Sequence, residues 1–171
     1  PDPRRSWKRE VLRWASRAGY RGLEIGFNAG HSAVIMLDAN PMLHLTAIDI
    51  GHHRYTLPCA KLVEDHFLNR FSFQAGSSKT QLGKFEDSAI SKFDIIHIDG
   101  GHKEDDVIFD FEWVIRNALP GCCIIVDDAY VDHIDRLISN AIRAGDIRPA
   151  SLPIPCSGEN GVFFKTNFGD A

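Results

Sequence analysis

The chain has 171 residues, 44% of them hydrophobic and 25% charged, which fits one globular domain because two would each be short of core. Lys+Arg 19 against Asp+Glu 23 gives a net charge of −4, so nucleic acid and anionic membrane, which need clustered positive charge, are excluded as generic partners. No apolar run approaches the roughly 20 residues that span a bilayer. No signal peptide is visible, and the four cysteines lack zinc-type spacing, so free buried thiols in a cytoplasmic protein are expected.

Short β-rich runs alternate with helical patterns along the whole chain. Residues 6–18 place Trp7, Val11, Trp14, Ala15 and Ala18 on one helical face, and the basic residues Arg4, Arg5, Lys8, Arg9, Arg13 and Arg17 read as its solvated side. The pattern then predicts a strand over 22–26, a helix over 31–38, a strand over 45–50 and a helix from Pro58 to about Asn69. Further strands are predicted over 71–74, 93–98 and 122–126, with helices over 104–118 and 131–144. Two last strands, 147–154 and 162–165, flank the hairpin signal Asn160-Gly161. This order predicts an α/β fold, a doubly wound, mostly parallel seven-stranded sheet with an antiparallel edge hairpin. The whole of 1–171 is expected to be one domain, with 1–20 as an N-terminal helix. Ligands of such sheets bind beyond the carboxyl ends of the strands, where strand order reverses. Gly26, Asp49, Ser77, Asp99 and Asp127, each just after or at the end of a strand, are therefore the positions to inspect.

Residues 23–32 read Leu-Glu-Ile-Gly-Phe-Asn-Ala-Gly-His-Ser. Gly26 and Gly30 permit a tight turn and close approach of a ligand. A dinucleotide fingerprint would need glycine at Asn28 and His31, and no Gly-Lys-Ser/Thr follows, so NAD, FAD and P-loop nucleotides are disfavoured. The loop resembles motif I, (E/D)-x-G-x-x-x-G, of class I S-adenosylmethionine-dependent methyltransferases, which are Rossmann-like. Residues 93–102, Phe-Asp-Ile-Ile-His-Ile-Asp-Gly-Gly-His, and 119–128, Leu-Pro-Gly-Cys-Cys-Ile-Ile-Val-Asp-Asp, resemble the small-molecule O-methyltransferases that include the macrocin-type sugar O-methyltransferases. The resemblance runs from about Leu23 to Asp128.

The resemblance implies that Glu24, Gly26, Phe27, Asn28 and Gly30 form the S-adenosylmethionine loop, that Asp49 holds the ribose hydroxyls, and that Ser77 contacts adenine. It implies Mg²⁺ bound by Asp99, Asp127 and Asp128, with His102 as general base and Asp99 shared between cofactor and catalysis. Ser32, a hydroxyl at a helix N-terminus, suits the methionine carboxylate. The residues support the acidic set in their own right. Asp99 and Asp127 end strands expected to be neighbours, and crowded carboxylates repel unless neutralised. A hard divalent cation would relieve this and acidify a bound hydroxyl, whose proton a histidine can take near neutral pH.

Two positions depart from the family pattern: Gly121-Cys122 replaces Gly-Gly, and Glu104 stands where an aromatic residue is usual. Little chain is left for a substrate lid, so the site is expected to be open, covered by a partner subunit, or covered by an N-terminal segment that precedes this sequence. The expected activity is O-methylation of a small hydroxylated acceptor, a sugar or a polyphenol. A degenerate cofactor-binding domain and a metal-dependent hydrolase on the same acids remain as alternatives. Nucleic-acid methylation is disfavoured by charge and by the lack of an N-P-P-(Y/F) motif.

Overall fold

The computed structural model describes residues 3–17, 19–86, 93–101, 103–153 and 161–166. In chain order the elements are α1 (Pro3–Ser16), β1 (Arg21–Ile25), α2 (His31–Ala39), β2 (His44–Asp49), α3 (Thr56–His66), β3 (Phe71–Ala75) and α4 (Ser78–Glu86). They continue with β4 (Ile95–Ile98), α5 (Glu104–Asn117), β5 (Cys123–Val126), α6 (Asp132–Arg143), β6 (Ile147–Pro149) and β7 (Gly161–Lys165). The seven strands form one sheet in the order β3-β2-β1-β4-β5-β7-β6. β1 to β5 run parallel, while β7 pairs antiparallel with both β5 and β6. The expected α/β architecture is what forms, with strand order reversing between β1 and β4.

Two details differ from the sequence pattern. Strand β6 ends at Pro149, short of the expected 154, although the Ala150 amide still donates to the Val162 carbonyl. Asn160 lies outside the described residues, so the hairpin turn is not characterised. Helix α4 had no counterpart in the pattern, because only Leu82 and Phe85 anchor it and Gly83 interrupts its middle.

Helices cover both faces of the sheet. Trp7, Val11 and Leu12 of α1, Ala33, Met36 and Leu37 of α2, and Ala60 and Val63 of α3 build one core. Leu82 of α4, Phe111 and Val114 of α5, and Ile134 and Ile138 of α6 build the other. Side chains alternate across each central strand. Leu23, Ile25, Ile96, Ile98, Ile124 and Val126 face the α4–α6 core, and Ile95, Cys123 and Ile125 face the α1–α3 core. Helix α1 thus packs into the core through the face that carries Trp7, Val11 and Ala15. Cys122 and Cys123 are buried free thiols; burial pushes Cys123 up to about 12 and Cys122 higher still. Cys156 lies outside the described residues. Among the described residues no helix is long and apolar enough to cross a membrane.

Candidate functional site

Sheet register sets the site. Ile25 pairs with both Ile48 and Ile98, and Ile98 pairs with Val126. The residues that follow, Gly26, Asp49, Asp99 and Asp127, thus emerge side by side at the carboxyl edge, on either side of the switch point. Gly26 (φ 98°) must be glycine, because a Cβ there would collide with the Asp99 carbonyl.

The loop after β1 is held from beneath by its own side chains. Glu24 is fully buried and lies opposite His97 in register; His97 Nδ1 is 3.2 Å from Glu24 Oε1, and the Ser32 hydroxyl donates to the same oxygen. Burial alone would push His97 down, but the Glu24 hydrogen bond and the charges of Glu24, Asp99 and Asp127 carry it above its usual value. Phe27 is buried against Phe71 and Phe73, with ring centroids 5.5 and 5.3 Å away. Gly30 starts α2 against the Phe27 ring, which leaves no space for a Cβ.

Asp49 anchors the loop directly. Its Oδ2 accepts from the Phe27 and Asn28 amides at 3.0 and 2.7 Å, and its Oδ1 accepts from the Gly51 amide at 2.8 Å. A carboxylate offers about four acceptor positions. Three are taken by backbone, so one remains for a ligand rather than a full pair of grips. Asn28 sits at φ 52°, a left-handed conformation that asparagine tolerates, and its Oδ1 accepts from the Tyr55 hydroxyl at 2.8 Å.

These elements enclose a cavity of about 360 Å³, within the size range of small-molecule sites. Gly26, Asn28, Asp49, Ser77 and Asp99 line it, together with Ile50, His52, His53, Lys79 and Asp110. Of the expected residues, Glu24, Phe27, Gly30 and Ser32 do not line it; they support the residues that do. Ser77 lines the cavity while its Oγ also accepts from the Thr80 amide at 3.3 Å, at the start of α4.

On the other side of the switch point the carboxylates crowd. Burial pushes Asp99 up to about 7; His97 opposes this, and Asp127 and Glu24 add to it. Asp99 and Asp127 are close enough for each to shift the other's protonation, and the Asp127 Oδ1 is buried with no hydrogen-bond partner. Lys8 of α1 reaches them: its Nζ donates to Asp127 Oδ2 at 2.8 Å and lies 2.7 Å from Oδ1 as an ion pair. Burial works against the Asp127 charge, but the hydrogen bond and charge of Lys8 prevail and hold it below the usual carboxylate range. Asp128 stands at φ 52° beside a separate cavity of about 20 Å³ that Asp99 and Asp127 also border. Among the described residues no group of three His, Cys, Asp or Glu side chains is arranged to hold a metal ion. The expected Mg²⁺ set of Asp99, Asp127 and Asp128 does not fit this geometry, because a lysine already occupies Asp127. His102 lies outside the described residues; Gly101 before it lines the larger cavity.

Sequence reasoning missed two participants. Lys8 was assigned to a solvated face. Yet it stands at i relative to Val11 (i+3), Leu12 (i+4) and Ala15 (i+7), all buried, and that spacing was a readable signal. Asp110 of α5 is the second. It is 2% exposed, lines both cavities, and its Oδ1 has no hydrogen-bond partner. Burial pushes it up to about 6, against a stabilising hydrogen bond from Ser78.

Known proteins carry the same fold. TomG from Streptomyces achromogenes, an O-methyltransferase of tomaymycin synthesis solved with S-adenosylmethionine, is 19% identical with TM-score 0.72, over 98% of this chain and 81% of that one. An O-methyltransferase from Bacillus cereus solved with S-adenosylhomocysteine is 16% identical with TM-score 0.68, over 95% of this chain and 79% of that one. A TDP-rhamnose 3'-O-methyltransferase of calicheamicin biosynthesis, in its apo form, is 11% identical with TM-score 0.71, over 96% and 79%. A search among curated proteins gives no match. A family model described as "Methyltransferase domain" matches residues 23–129, a span that contains the Gly26 loop, Asp49, Asp99 and the Asp127-Asp128 pair. With well over half its length so matched, the chain belongs to the methyltransferase-domain family.

Proposed function

We propose that the protein transfers a methyl group from S-adenosylmethionine to the hydroxyl of a small acceptor, a sugar or a polyphenol. The observation that carries this reading is the cavity of about 360 Å³ framed by Gly26, Asp49 and Asp99 at the switch point. S-adenosylmethionine supplies an electrophilic methyl group on a sulfonium. The Gly26 backbone allows close approach, the remaining acceptor position of Asp49 takes a ribose hydroxyl, and Ile50 and Ser77 flank the base. His102 takes the proton of the acceptor hydroxyl as general base, near neutral pH. The new O–C bond forms as the S–C bond breaks, and the chain contributes chiefly by fixing two partners in line. No step is assigned to Mg²⁺, because Lys8 already neutralises Asp127.

Calorimetric titration of S-adenosylmethionine is the test, followed by a search for S-adenosylhomocysteine release across a panel of sugars and catechols. One-to-one binding with release on some panel members is expected. Failure to bind overturns the proposal; binding without release across the panel points instead to a degenerate cofactor-binding domain.

A further inference from the structure

We propose that Lys8 is the resident cation of the Asp99 and Asp127 pair, held where the family-like sequence pattern places a divalent metal. The proposal rests on the methyltransferase reading of the same site.

Three observations converge on it. The first is direction. Period-two alternation puts His97 and Ile125 on the α1–α3 side of the sheet, and Asp99 and Asp127 follow each of them by two residues. Helix α1 covers that side, with Trp7, Val11 and Leu12 buried, so Lys8 is aimed by packing rather than by its own flexible stem. The second is contact. Nζ meets both oxygens of Asp127, at 2.8 and 2.7 Å, and this carboxylate is only 10% exposed. Lys8 is 31% exposed, so the buried partner is the carboxylate, and removing the lysine would leave the Asp127 charge uncompensated. The third is space. The cavity that Asp99, Asp127 and Asp128 border together lies toward Val107, Asp110 and Ile134, away from Lys8, and at about 20 Å³ has room for about one water, whereas Mg²⁺ usually keeps several.

Lys8 acts through Asp127 as a positioning residue. A cation on a covalent tether leaves no vacancy for an exchangeable one, and it fixes the Asp127 carboxylate at the strand end next to Asp99, which borders the larger cavity. A site built this way is insensitive to chelators, and it becomes a metal site only when the tethered charge is removed.

The test uses the full chain and the metal alone. MnCl₂ and MgCl₂ are titrated calorimetrically into wild type, Lys8→Arg, Lys8→Met and Lys8→Met/Asp127→Asn, with thermal melts to establish folding. Wild type and Lys8→Arg are expected to take up neither ion at millimolar concentration. Lys8→Met is expected to bind Mn²⁺ one-to-one, at least about 10-fold more tightly than wild type, since it exposes two hard carboxylates. The double variant should lose that binding. A merely structural lysine would not create a metal site when removed. Equal uptake by wild type and Lys8→Met overturns the proposal, as does a folded Lys8→Met that binds neither ion. If Lys8→Met does not fold, the wild-type titration decides alone: uptake overturns and no uptake supports. S-adenosylmethionine binding to wild type in EDTA is measured separately. Its absence would remove the methyltransferase reading without altering the ion result.

Discussion

The two sides of the switch point solve the same problem in opposite ways. Each must hold an acidic residue at the carboxyl edge of the sheet. On the β1–β2 side, Asp49 is neutralised by backbone: the amides of Phe27, Asn28 and Gly51 surround it, all within a few residues of a strand end. On the β4–β5 side, Asp127 is balanced chiefly by a lysine 119 positions away in sequence. The first arrangement is local and preorganised by glycine and sheet register. The second exists only when α1 docks. Ligand binding should therefore be most sensitive to backbone changes on the first side, and most sensitive to charge and pH on the second.

The largest effect is expected at Gly26. Its positive φ alone makes a side chain cost about 1–3 kcal/mol. The Cβ of Gly26→Ala would in addition collide with the Asp99 carbonyl, which cannot swing away as a side chain can. Calorimetry should show S-adenosylmethionine affinity reduced by more than about 100-fold, with each factor of ten worth about 1.4 kcal/mol. Gly121 is the control. It has φ 84° but nothing within 4 Å of an added Cβ, so Gly121→Ala should lower the melting temperature and leave affinity unchanged. Equal losses of affinity in the two variants would show that global strain, not the close approach at Gly26, governs binding.

A smaller effect, but one specific to the second side, is expected from pH. Burial holds Asp99 at about 7 against an ordinary 3.8, so the folded state keeps its proton longer than the unfolded state does. Stability from this group is complete below about 3.8 and is lost as pH rises through about 7. Asp110, raised by burial to about 6, has the same sign. His97 is also raised, so its contribution is present below its usual 6.5 and fades as pH rises through its higher folded value. Melting temperature should fall by roughly 8–16 °C between pH 5 and pH 8, for the about 4 kcal/mol that Asp99 and Asp110 lose over that window in a domain of this size. Asp99→Asn should remove about half of that fall or more, given one pKa unit as about 1.4 kcal/mol. A variant whose melting curve runs parallel to wild type would place the pH sensitivity elsewhere.

What could be read in the sequence follows the same division. The Gly26 loop, Asp49 and the alternation of strands and helices were legible because they depend on short-range patterns: a glycine at a strand end, an acid at the next strand end, alternation of periods two and 3.6. The ends of β4 and β5 were legible as a place, since Asp99 and Asp127 each follow a buried apolar run. Their counter-charge was legible only through the spacing of Lys8 with the buried Val11, Leu12 and Ala15, which sets it apart from Arg9 by 100° of helical rotation. Helix α4 was hidden by weak amphipathicity, and Asp110 by being polar at a buried position. Glu24, Phe27 and Ser32 were found as part of the loop, and they support it rather than line the cavity: sequence spacing locates a residue on a motif without saying which way its side chain faces.

The smallest effect tests the first side from its rim. Tyr55 donates to Asn28 Oδ1 at 2.8 Å and stacks on His53 with ring centroids 5.0 Å apart, in a region open to solvent. Tyr55→Phe keeps the stack and removes only the hydrogen bond, which in an exposed setting contributes about 0.5 kcal/mol at most. The Asn28 amide, gripped by Asp49 at 2.7 Å, is untouched. If the loop is held by backbone, S-adenosylmethionine affinity should change by less than about threefold, the factor that 0.5 kcal/mol allows. A loss of tenfold or more would mean that the Asn28 side chain, not the backbone amides on Asp49, sets the loop, and the contrast between the two sides of the switch point would then fail at its best-ordered end.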